Sequence, residues 1–85
     1  MPTVIRTKPF DEDFLKLAAN EQKQAIKALR FLAVNPRHQS LHTHKIEGTE
    51  FFEVYVNMDI RIIFERTGDT IILRAIGHHD ILRGM

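Results

Sequence analysis

Three apolar-alternating segments crowd the second half of this chain, at residues 51–56, 60–65 and 70–76. The gaps between them are too short for helices, so the three turn straight back on one another as an antiparallel meander. Alternation also predicts the pairing. Phe52, Val54 and Val56 make one apolar row, and Ile60, Ile62 and Phe64 make another. Both rows face one core only if Val56 pairs with Ile60, because a slip of one residue turns a whole row to water. Asn57-Met58-Asp59 is then the loop, and Tyr55 stands opposite Arg61. In the next hairpin the pattern predicts Phe64 opposite Ile71, Ile62 opposite Leu73 and Ile60 opposite Ala75. Thr67-Gly68 is its expected two-residue turn, with glycine available for positive φ.

Upstream, Thr3-Val4-Ile5-Arg6 reads as a short strand rich in β-branched residues. Pro9 is placed to open a helix, and Phe10, Phe14 and Leu17 recur at helical spacing to about Ala18. Asn20 is the expected N-cap of a second helix, with Glu21 in its first turn where the helix dipole favours an acid. Its expected buried stripe is Ala25, Ile26, Leu29, Leu32 and Ala33, and Asn35-Pro36 ends it. Residues 35–50 read as a loop bearing His38, His42 and His44, closed by a Glu47-Gly48-Thr49 turn. The sum is a single α+β domain over residues 1–85: strand, helix, helix, three-stranded meander, with the helices packed on one face of a twisted antiparallel sheet.

Eighty-five residues make one domain with a modest core. The chain has no cysteine, which removes disulfides, thiolate metal sites and thiol nucleophiles. It has no apolar run of membrane-spanning length and no signal-peptide pattern at its start, so a cytoplasmic protein without an anchor is expected. The net charge of +1 permits nucleic-acid binding without arguing for it.

The polar face of the meander carries the first chemical signal. The expected register sets Arg61 between Tyr55 and Arg74. Two arginines facing each other across a ladder are destabilising unless an anion joins them, or unless Glu53 and Glu65 pair with them. Ile63 and Ile72 share this face, which suggests that a partner segment covers part of it. The second signal is Gly77-His78-His79-Asp80, just past the last strand, where imidazoles work as acid or base at cell pH. Adjacent histidines with no tight carboxylate cluster lack metal-ligand spacing, so no metal and no cofactor are expected. There is no glycine-rich phosphate loop, and Ser40 is the only serine.

Element order, the phrase Asp59-Ile60-Arg61-Ile62-Ile63-Phe64, the later Ile76-Gly77-His78-His79-Asp80 and the earlier His44-Lys45-Ile46-Glu47-Gly48 together resemble the RelE/ParE superfamily of toxin–antitoxin systems. The resemblance covers nearly the whole chain and is strongest from His44 to Leu82. Gly77-His78-His79 followed by Leu82 looks most like the YafQ branch. The resemblance implies a ribosome-dependent mRNA endonuclease that needs no metal, held inactive by a cognate antitoxin in a higher-order complex. It implies His79 as general acid, His44 or Asp59 as base, and Arg61 on the phosphate. Arg74, Tyr55, Lys45 and Arg83 are the expected RNA contacts. The superfamily also holds gyrase inhibitors of the ParE type, and a silent relative that only binds its antitoxin is the third alternative. The chain departs from the pattern in three places: Tyr55 stands where YafQ-like toxins have a histidine, Arg83 falls near their tail aromatic, and Phe52 and Val54 replace the RelE-type lysine pair.

Overall fold

The computed structural model describes residues 2–78. The elements are β1 (Thr3–Arg6), α1 (Lys8–Leu15), α2 (Ala19–Val34), a 3₁₀ turn (Gln39–Leu41), β2 (His44–Lys45), β3 (Phe51–Tyr55), β4 (Ile60–Thr67) and β5 (Thr70–His78). The strands form one sheet in the order β1-β5-β4-β3-β2. The α+β meander is present as expected. The sheet is mixed, because β1 returns through the helices to run parallel to β5. Two residues of the expected loop, His44 and Lys45, pair with Glu53 and Phe52 and add the short edge strand β2.

Local chemistry explains the helix ends. The Thr7 hydroxyl accepts from the Phe10 N–H at 3.4 Å and donates to the Leu73 carbonyl at 2.7 Å, so one side chain caps α1 and ties it to β5. Helix α1 stops at Leu15; the Phe14 carbonyl accepts from the Leu17 N–H at 3.1 Å and from the Gln22 amide at 3.2 Å, and Gln22 also donates to the Leu17 carbonyl at 3.3 Å. The cap of α2 is Ala18, not the expected Asn20. Glu21 reaches back to accept from the Ala18 N–H at 2.8 Å, which fixes the helix start without a capping hydroxyl or amide.

The core lies between the helices and one sheet face, where Phe10, Ala25, Leu32, Val54, Ile62, Phe64 and Leu73 pack together. The α2 stripe is centred on Ala25, Ala28 and Leu32, so Ile26 falls at its margin and is 41% exposed, against expectation.

The β3–β4 register is the expected one, with Val54 opposite Ile62 and Tyr55 opposite Arg61. The β4–β5 register differs. The turn is Gly68-Asp69, with Gly68 at φ +58° and Thr67 opposite Thr70. Phe64 then meets Leu73 rather than Ile71, a shift of two that keeps the apolar faces aligned. Past an irregularity at Ile63/Phe64 the pairing changes parity: Ala75 stands opposite Ile63 and Ile76 opposite Ile62. Arg74 is the extra residue of this bulge. The bulge exchanges Ala75 for the larger Ile76 on the core side, which fills more volume. Arg61 consequently stands opposite Gly77, not Arg74.

Leu32 is fully buried while Ile26 is not, which gives a direct check of the α2 face. Leu32→Ala should cost about 2–5 kcal/mol in urea unfolding, and Ile26→Ala about 0.5 kcal/mol. Equal losses would place the stripe elsewhere.

Candidate active site

Strand alternation sends Glu53 and Tyr55 of β3 and Arg61 of β4 to the sheet face away from the helices, and pairing with Glu53 brings His44 of β2 beside them. Arg61 and Glu53 are both buried, at 8% exposure each. A buried guanidinium needs partners for its charge and its donors. Arg61 stacks over the Tyr55 ring, with Cζ 3.7 Å from the ring centroid. Its NH1 donates to the Asn57 carbonyl at 2.6 Å and to the Ile60 carbonyl at 3.3 Å. The Glu53 carboxylate lies 4.0 Å from its Nε.

The three-residue loop is built to present that carbonyl. The Asn57 side-chain oxygen accepts from the N–H groups of Asp59 and Ile60, each at 2.7 Å, which curls the loop. Its amide donates to Gln24 of α2 at 2.6 Å and anchors the loop to the helix layer.

Glu53 Oε1 also lies 3.1 Å from His44 Nε2. The other ring nitrogen, Nδ1, is 3.1 Å from the His42 carbonyl oxygen, a contact that is a hydrogen bond when Nδ1 carries a proton. Both rings frame Tyr55, His42 at a centroid distance of 5.2 Å and His44 at 6.2 Å. One face therefore gathers a carboxylate-held imidazole, a fixed guanidinium and a phenol ring within touching distance.

The other expected residues fall out as follows. Asp59 does not join this cluster. It is hydrogen-bonded to His78 Nδ1 at the end of the sheet, where both side chains are half exposed. Arg74 is turned away by the bulge and pairs with Glu65 at 3.1 Å, so the expected Arg61–Arg74 anion clamp is not formed. Lys45 is exposed at the β2 edge. His79 and Arg83 lie outside the described residues. Glu53 is a site residue that the sequence pattern marks only as a candidate partner of the strand arginines. Its position two residues before Tyr55, on the polar row, was the available signal. Among the described residues no group of three or more His, Asp or Glu side chains converges as metal ligands, and no helix is long and apolar enough to cross a membrane.

No protein-family model matches the chain, and neither does any curated protein sequence. Solved structures do match. The metal-bound toxin from Helicobacter pylori shares 26% identity over 96% of this chain and 99% of its own, with a TM-score of 0.77. The RelB-RelE antitoxin-toxin complex from Methanococcus jannaschii matches at 22% identity, over 94% of this chain and 95% of that one, again with a TM-score of 0.77. YafQ from E. coli matches at 17% identity and TM-score 0.74, covering 96% and 98%. The architecture is thus that of small α+β toxins. The fold of this chain is the one seen in the RelE and YafQ toxin structures.

If the ring of Tyr55 holds Arg61 by its π-face, Tyr55→Phe should keep that contribution and Tyr55→Leu should lose about 1 kcal/mol more in urea unfolding. Equal stability of the two variants would show that the stacking contributes nothing.

Proposed function

We propose that this protein is the toxin of a type II toxin–antitoxin pair and that it cuts mRNA on the ribosome. The observation that carries this reading is the Glu53–His44 pair beside the fixed Arg61 on the sheet face away from the helices. The fold shared with toxins supports the class, and neighbours solved as RelB-RelE complexes support an antitoxin partner.

The cluster fits cleavage by the RNA's own 2′-hydroxyl. In that reaction the 2′-oxygen forms a bond to phosphorus and the bond from phosphorus to the 5′-oxygen breaks, leaving a 2′,3′-cyclic phosphate and a 5′-hydroxyl. Glu53 accepts from Nε2–H of His44, and in the neutral ring Nδ1 then takes the proton of the 2′-hydroxyl. The substrate hydroxyl displaces the His42 carbonyl from Nδ1. Arg61 donates to the non-bridging oxygens, where charge builds in the transition state. It arrives pre-oriented, since its NH1 and ring face are already held. His79 gives a proton to the leaving 5′-oxygen. The Asp59–His78 hydrogen bond anchors the strand immediately before it, a positioning role for Asp59 in place of the base role. Lys45 and Tyr55 line the path of the RNA backbone and bases, and Arg83 is a further RNA contact by its place in the tail pattern. Arg74, held by Glu65, contributes general positive potential.

Primer extension of a defined mRNA on programmed ribosomes tests this assignment. The unaltered protein should cut within the A-site codon, and His79→Gln and His44→Gln should each lower the rate by about 10²- to 10⁴-fold. Full activity of His79→Gln would remove it as the acid. Absence of cutting by folded protein, with DNA breaks that depend on gyrase, would replace the reading with the ParE-type one.

A further inference from the structure

A cavity of about 350 Å³ opens at the β2 edge, lined by the helix-facing Phe52 and Phe64. Its lining includes Arg37, His44, Lys45, Phe52, Phe64 and Arg66, and no acid. Among the described residues none of the three permanent cations has a carboxylate partner, whereas Arg6, Arg61 and Arg74 each lie within 4.0 Å of one. Three like charges around one concavity repel unless an anion enters. The floor is aromatic: Phe52 is half-buried and lies nearly parallel to Phe64, at 14° and 5.4 Å between centroids. A cavity of this size falls at the lower end of small-ligand sites, which run from about 300 Å³ upward. A nucleotide, an anion joined to a flat ring, matches this lining.

The cavity adjoins the candidate active site through His44. His44 lines it and is bound to Glu53, so one residue stands at both. Strand β2 is only two residues long, and its neighbours His44 and Lys45 point to opposite faces.

We propose that the cavity is a subsite for the nucleotide next to the cleaved bond, with its base stacked on Phe52 and its phosphate held by Arg37, Lys45 and Arg66; this rests on the nuclease reading above. It makes Phe52 and the three cations determinants of substrate binding rather than of chemistry.

The test uses the full chain and a fluorescent 2′-O-methyl trinucleotide, which binds but is not cleaved. Phe52→Leu keeps an apolar side chain and removes the stacking face; it should weaken binding about tenfold. Arg66→Ala is an exposed change that leaves the core untouched. It should weaken binding several-fold and lower the salt slope by about one. On ribosomes both variants should raise KM more than they lower kcat. Variants that bind and cut as well as the unaltered protein overturn the subsite while the nuclease reading stands. Binding sensitive to both variants, in a protein that never cuts mRNA, keeps the subsite and discards the nuclease reading. Trinucleotide binding indifferent to both variants, with an acidic peptide excluded by both, assigns the cavity to a protein partner and overturns the proposal.

Discussion

Strand β4 is buried on both faces, and it carries a guanidinium in its middle. Ile60, Ile62 and Phe64 face the helices, while Arg61 and Ile63 face the other way and are also buried. Burying a cation is costly unless charge and hydrogen bonds are met together. Much of the site follows from meeting that demand. The Asn57 loop curls to offer its carbonyl, Tyr55 lies under the guanidinium plane, and Glu53 supplies the opposite charge. Glu53 is then in place to hold His44, so the edge strand β2 is drawn into the same constellation. A residue whose desolvation organises its surroundings is also a pre-oriented donor, the property that transition-state stabilisation of a phosphate requires.

The β5 bulge separates the two strand arginines. By inserting Arg74 as an extra residue it places Ile76 in the core and sends Arg74 to Glu65. The sheet avoids two facing cations at its centre and leaves Arg61 alone at the cluster. The same shift sets His78 opposite Ile60, beside Asp59 at the strand end, where the two side chains bond. The segment leading to His79 is thus tied to the loop that supports Arg61.

The meander and the β3–β4 register were legible because each strand has one clearly apolar row and the loop length admits one solution. Tyr55 opposite Arg61 followed from that. The β4–β5 register was not legible. Ile71, Leu73 and Ala75 continue the alternation without a break, and Ile76 beside Ala75 gives both faces an apolar choice, so the bulge leaves no mark in the pattern. Packing decided it, through the larger side chain. The start of α2 was misplaced at Asn20 because a residue-type rule favours a capping amide, whereas the Glu21 carboxylate serves the cap from three positions on. Glu53 resembled a solvent-side acid until its neighbours on β2 and β4 came together around it. His79 and Arg83, read from the tail pattern, lie outside the described residues and stand as proposals.

The measurement that tests the account most directly is cleavage on programmed ribosomes of an mRNA carrying a single 2′-deoxy substitution at the cut position. The account predicts that the all-ribose mRNA yields a 2′,3′-cyclic phosphate end and that the substituted mRNA stays intact at that bond. Cutting of the 2′-deoxy bond at an undiminished rate would contradict it, because the Glu53–His44 pair would then have no hydroxyl proton to take.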